Sequence, residues 1–266
     1  MRLLHVILVA ILLSFMPFSN MHAYGDNSYG WGYEKSRNHK PPKTGFYGDL
    51  LKKYGGYHID PSGEKVLYLT FDNGYEQGYT DDILDVLKEK EVPATFFVTG
   101  HYIKSAEGLV QRMVNEGHIV GNHSWSHPDF SKMSKDRIKN ELVKVEQAVA
   151  NITDQDSMKY LRPPRGTFSE RSLAISEELG YINMFWSLAF VDWHTNGQKG
   201  WKYAYDSVMK QIHPGAVMLL HTVSEDNAKA LERIIEDLQK QGYTFKSLDD
   251  LVLKQILPDP MADFMN

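Results

Sequence analysis

About seven times between Lys65 and Lys246, a short apolar run of strand length is followed by a longer segment whose apolar residues recur at helical spacing. That alternation constrains the fold more than any composition figure. The runs are Val66–Phe71, Ala94–Val98, His118–Gly121, Tyr160–Arg162, Ile182–Leu188, Ala216–Leu220 and Tyr243–Lys246. Most are apolar at consecutive positions, as expected of strands buried on both faces of a parallel sheet. Helices are expected from Thr80 through Leu87, over Gly108–Glu116, from Ser134 through Val149, from Ser169 to Gly180, over Tyr203–Ile212 and over Asn227–Gln241. Thr80, Ser134 and Ser169 are their expected N-caps. Strands and helices alternating in this number predict an α/β fold, an irregular parallel (β/α)7-8 barrel. An open doubly wound sheet is the alternative, but no glycine-rich phosphate loop follows the first strand.

The 266 residues suffice for one large domain, expected over 65–257 with a C-terminal tail at 258–266. Met1-Arg2, the apolar stretch Leu3–Phe18 and the small residue Ala23 resemble a secretory signal peptide over residues 1–23. An exported protein is therefore expected. An uncleaved N-terminal anchor is the alternative, for which the stretch is short. Residues 24–64 lack periodicity and read as an irregular extension, partly packed through Trp31, Tyr33, Phe46, Tyr47 and Tyr54. A net charge of −5 offers no nucleic-acid surface. The chain has no Cys, which excludes a thiol nucleophile and leaves His, carboxylate or amide side chains as metal donors.

In such a barrel the site lies at the carboxyl ends of the strands. Those ends collect Asp72-Asn73, His123 and His127, Arg162 to Gly166, Asp192-Trp193 and His221. Each alone has an ordinary explanation: Asp72 as a turn residue, Arg162 as a surface base, His221 as a satisfied core imidazole. Together on one rim they point to a catalytic site. His123 and His127 stand four apart, a spacing that can put two imidazoles on one side of a single turn. Imidazole is the commonest metal ligand. The HExxH order of a metalloprotease is missing.

These segments resemble the motifs of the polysaccharide deacetylase family, whose NodB-type domain is a distorted (β/α) barrel. Thr70-Phe71-Asp72-Asn73-Gly74 is similar to the first motif and His123-Ser124-Trp125-Ser126-His127 to the second. Arg162-Pro163-Pro164-Arg165-Gly166 resembles the third, Asp192-Trp193 the fourth and Leu219-Leu220-His221 the fifth. The resemblance covers roughly Lys65 to Leu253. It implies metal-assisted amide hydrolysis. His123 and His127 would hold a divalent ion, zinc by the family's habit, and Asp72 would be the general base with Arg162 paired to it. His221 would be the acid supported by Asp192, and the backbone N–H of Arg165 an oxyanion donor. Within the family, the Asn of TFDNGYE and the RPPRG segment resemble the branch that deacetylates N-acetylmuramic acid in peptide-free peptidoglycan, a step towards muramic δ-lactam in spore cortex. Peptidoglycan glycan strands are then the expected partner.

Asn73 is a departure, because the family places a metal-ligating Asp there. A neutral amide oxygen would bind the ion more weakly, so either a weakened working site or a lost one is possible. Arg165 offers a guanidinium that suits the lactyl carboxylate of muramic acid. Gly166, Trp193, Tyr75 and Trp125 are further candidates for sugar contact, as are Phe130 and Trp201, against ordinary packing for each aromatic. His101 and His194 have no motif role. A chitin-type deacetylase and a non-catalytic glycan-binding module remain the alternatives.

Overall fold

The computed structural model describes residues 25–257; the expected signal peptide and the tail at 258–266 lie outside them. Its ten strands are β1 (Tyr29–Gly30), β2 (Val66–Asn73), β3 (Ala94–Val98), β4 (Ile119–Asn122), β5 (Tyr160–Leu161), β6 (Thr167–Phe168), β7 (Ile182–Asn183), β8 (Leu188–Ala189), β9 (Val217–His221) and β10 (Thr244–Phe245). The main sheet runs β7-β5-β4-β3-β2-β9-β8, all parallel, with β10 beside the start of β2. This is the irregular barrel the alternation predicts. Helices flank the sheet, and none among the described residues is long and apolar enough to cross a membrane.

Period-two alternation sorts the strand residues between two apolar layers. Leu67, Leu69 and Phe71 of β2 join the large cluster shared with helical residues such as Leu84, Leu142 and Ile235. Tyr68 faces the other way, with Phe97, Tyr160, Met184 and Val217, inside the curl of the sheet. The register sets Asp72 opposite both Phe97 and His221, and Asn122 opposite Leu161. The carboxyl ends of the strands therefore come level at one rim.

Ile182–Leu188 is not one strand. Its ends form β7 and β8, which lie at opposite edges of the sheet. Met184 to Ser187 crosses the gap between them, so the curl is closed by the covalent chain rather than by a hydrogen-bond ladder. Met184 N donates to Leu161 O and Ser187 N to Val217 O, tying each half of the crossing to its own edge. An apolar run gives no hint of such a split, because both halves are buried.

The segment before Lys65 is more ordered than an irregular extension. Phe46–Lys53 is a helix, and β1 pairs antiparallel with β6. Trp31 N donates to Gly166 O, and Trp31 Nε1 to Trp186 O. The Trp31 ring lies 4.7 Å from that of Phe185. Short elements separated by Gly and Pro carry too little periodicity to be read from sequence. Two further helices were not expected, Gly100–Ser105 and Leu248–Ile256. Ser134 and Ser169 cap their helices as predicted. Thr80 does not: it is already helical, and the carboxylate of Glu76 accepts from Tyr79 N and from the Thr80 hydroxyl.

Because Trp31 joins the early segment to the crossing, Trp31→Ala is expected to cost about 2–4 kcal/mol of stability. A thermal melt should show a loss of several degrees; an unchanged Tm would mean the early segment only rests on the domain.

Candidate active site

The floor of the site is an ion pair inside the curl. Asp72, 7% exposed, accepts from Arg162 Nη1 at 2.8 Å. Arg162 is fully buried, and its Nε donates to Met184 O at 3.0 Å, on the crossing segment. The guanidinium lies 4.2 Å from the ring centroid of Phe97. Burial alone would push the Asp72 carboxyl up, but Arg162, then His123 and His221, hold it below the ordinary carboxylate range. Asp72 is an anion at neutral pH with one oxygen left for other work.

The histidine pair does not stand on a helical turn. His123 to His127 form a loop with two non-glycine residues in the left-handed region, Ser124 at φ 67° and His127 at φ 57°. Side chains hold that loop closed: Ser124 N donates to Asn122 Oδ1 at 2.9 Å and His127 N to Ser124 Oγ at 3.0 Å. The Trp125 ring packs onto Gly100, where an added Cβ would meet it at 2.2 Å. The two imidazoles end with ring centroids 4.9 Å apart. Burial lowers the pKa of both, that of His127 to about 4, so both are neutral.

Arg162 O can only accept, so His123 Nδ1, 2.8 Å away, carries the ring proton and Nε2 keeps its lone pair. That lone pair lies 3.5 Å from Asp72 Oδ2, two electron-rich atoms facing each other. A cation between such groups relieves their repulsion. Among the described residues no three His, Asp or Glu side chains are arranged to hold a metal by themselves. A further donor is needed. Asn73 follows Asp72 on β2, points the other way and does not line the cavity; its Nδ2 donates to Thr222 Oγ1 at 2.8 Å. Its Oδ1 is buried with no donor among the described residues, but on that side of the strand it does not face His123 and His127. The two neutral imidazoles are donors that suit a divalent cation, while the third ligand expected at Asn73 is not brought to them.

Across the floor, His221 Nδ1 lies 2.7 Å from Asp192 Oδ1. Asp192 Oδ2 accepts from His221 N at 2.9 Å and from Asn227 Nδ2 at 2.6 Å. Burial works against a charged His221, but Asp192, and then Asp72, outweigh it and raise its pKa above the ordinary 6.5. The rim thus carries two neutral imidazoles on one side and a proton-holding one on the other.

Above these groups is a cavity of about 560 Å³. Asp72, His123, His127 and His221 line it, with Arg165, Gly166, Trp193, Tyr75 and Trp125. Asp192 and Arg162 stand behind the wall, Asp192 holding His221, and Arg162 holding Asp72 by its side chain and His123 by its carbonyl. Tyr75 and Trp193 are 40% and 44% exposed, open to a ligand at the mouth. Arg165 sits at φ 60° with its side chain exposed, and it makes no ion pair among the described residues. Gly166 beside it, at φ 63°, has no room for a side chain: a Cβ would meet Trp186 at 2.7 Å. Phe130 is core, and Trp201 lies off the cavity against Tyr205. His101 and Trp186 line the cavity without having been singled out. His101 follows the end of β3, a rim position the sequence did expose; Trp186 was hidden in the crossing.

The sequence pattern of the polysaccharide deacetylase family matches residues 60–184. The chain is 54% identical over 226 residues to the peptidoglycan-N-acetylmuramic acid deacetylase PdaA of Bacillus subtilis, covering 85% of this chain and 86% of that one. It superposes on the structure of that protein, a family 4 carbohydrate esterase, with a TM-score of 0.85 at 53% identity, over 87% of this chain and 99% of that one. A peptidoglycan-N-acetylglucosamine deacetylase of Bacillus cereus is 30% identical over 253 residues, 90% of this chain and 89% of that one.

Asp192 is what keeps His221 basic, so Asp192→Asn is expected to lower the His221 pKa, read from the pH dependence of its ring signals by NMR. An unchanged titration would mean that the carboxylate only positions the ring.

Proposed function

The chain belongs to the polysaccharide deacetylase family, and from that membership we propose that it removes the N-acetyl group of N-acetylmuramic acid in peptide-free peptidoglycan strands. Arg165 carries the choice of substrate. It places a guanidinium with no carboxylate partner on the cavity wall, where the lactyl carboxylate of muramic acid could supply one. The similarity to a muramic acid deacetylase supports the same choice. Loss of acetyl leaves an amine on the sugar that bears the lactyl carboxylate, the two groups a δ-lactam requires. By the motif resemblance that product would belong to spore cortex, and the signal-like stretch Leu3–Phe18 would suit an exported enzyme.

His123 and His127 would hold a divalent cation, zinc by resemblance; Asn73, at the family's third-ligand position, would join them only by turning its amide into the cavity. When bound it would act as a Lewis acid on the acetamide and its attacking water. Asp72 takes a proton from that water, since Arg162 keeps it ionised. Arg162 itself touches no substrate and acts as a positioning residue. His221 gives a proton to the departing nitrogen, because an amine leaves far more readily than an amide anion. Asp192 keeps that proton on His221 until it is needed. The Arg165 backbone N–H is assigned to the developing oxyanion, and Gly166 lets the turn carrying it pass under Trp186. Tyr75, Trp125 and Trp193 offer ring faces and edges to the sugars.

Two experiments test this reading. Metal content after dialysis should fall to near zero in His123→Ala, while Asn73→Asp tests the third position: tighter binding would mean that the side chain turns in to the ion, unchanged binding that it does not. Full metal retention in a His123→Ala/His127→Ala double variant would remove the site. Acetate release should be faster from peptide-free muramyl glycans than from chitin-type oligomers. Arg165→Ala should reduce the former by about 10–100-fold, the worth of one charge-assisted contact, and spare the latter. Equal losses on both would make Arg165 structural.

A further inference from the structure

A second groove, of about 630 Å³, lies beyond the strand end that carries Trp193. Lys35, Arg37 and Lys210 stand around it, and none has an ion-pair partner among the described residues. All three are exposed. Tyr203, Ser207 and Lys210 are spaced to share one face of the helix Trp201–Met209 and its C-cap. Phe190 packs edge-on to Tyr203, with ring centroids 6.0 Å apart. Lys199 Nζ lies 4.6 Å from the Tyr203 ring centroid on the same helix's approach. In a chain of net charge −5, this is a local concentration of cations beside an aromatic wall.

The floor supplies a second, independent observation. Gln211 is 6% exposed; its Nε2 donates to Ser207 O at 2.8 Å, which fixes the orientation of the amide. Its Oε1 is buried and has no donor among the described residues. An unsatisfied acceptor under cations fits a ligand that brings hydroxyl donors together with negative charge. A sugar polymer bearing carboxylates has both; a simple anion has only the charge.

The groove also adjoins the catalytic cavity. Phe190 and Val191 line the groove, Trp193 lines the cavity, and Val191 and Trp193 are 53% and 44% exposed. Two residues span at most about 7 Å along the chain. We infer that this groove is a distal subsite for the same glycan strand, where Lys35, Arg37 and Lys210 take the carboxylates of muramic residues that are not being deacetylated. The inference rests on the proposed muramyl substrate for its ligand. It assigns length selectivity to a surface outside the catalytic machinery.

The probes are peptide-free muramyl strands, long and short, and neutral chitin-type strands of matched length. Lys35→Gln/Arg37→Gln/Lys210→Gln should weaken binding of long muramyl strands by about tenfold, the equivalent of roughly 1.4 kcal/mol. The same variant should flatten the salt dependence of binding. Binding of neutral strands and turnover of short muramyl oligomers should not change. Wild-type affinity for long muramyl strands in the variant would overturn the subsite, as would equal weakening on neutral strands. If the triple variant melts early, Lys210→Glu alone carries the test with the same outcomes. Should wild type release no acetate from any muramyl glycan, the catalytic reading fails, while the binding comparison still decides the groove.

Discussion

Arg162 is the residue on which the site and the fold both lean. A guanidinium removed entirely from water is tolerable only when its charge and its donors are met inside the protein. Asp72 meets the charge, the carbonyls of Met184 and Phe185 accept from Nε and Nη2, and Phe97 lies under the plane. Asp72 belongs to the interior strand β2, and Met184 and Phe185 to the segment that crosses the open side of the sheet. One side chain thus fixes the ionisation of Asp72 and braces the place where the curl has no ladder. Its carbonyl also sets the tautomer of His123. Three properties of the site follow from one burial.

The second constraint is how the rim divides its imidazoles. His123 is buried and His127 half-buried, as His221 is, yet the first two are neutral, and His221 holds its proton more tightly than a free ring. The difference is the partner. Asp192 stands behind His221 with both oxygens in use, whereas His123 has a backbone carbonyl at Nδ1 and His127 has a neighbouring imidazole. Within a single cavity, choice of neighbour rather than depth separates candidate ligands from candidate acid.

What could be read from the sequence was what depends on local order. The apolar runs revealed most strands, and the polar residues just past them revealed the rim, because strand ends must align in a curled parallel sheet. Asp72, His123, His127, Arg165, His221 and Trp193 were found in that way, and the cavity gathers them. What escaped depends on distant contacts. Nothing in Ile182–Leu188 says that its halves belong to opposite edges. Nothing around Trp31 says that it will meet Trp186 more than a hundred and fifty residues later. Asn73 was read for its donor chemistry alone. Strand alternation turns it away from Asp72, a fact that spacing contains but a motif reading passes over.

The left-handed residues carry a consequence for how such a protein can change. Among the described residues six non-glycine positions have positive φ, and Ser124, His127 and Arg165 are three of them. Each such conformation costs about 1–2 kcal/mol, against a total stability of about 5–15 kcal/mol for a typical domain. Glycine would remove that cost at every one of the three positions, together with a hydroxyl that closes the histidine loop, an imidazole and a guanidinium. A search rewarding thermal endurance alone would therefore drift towards a sturdier barrel with a blank rim. Selection for endurance and selection for chemistry pull this loop pair in opposite directions.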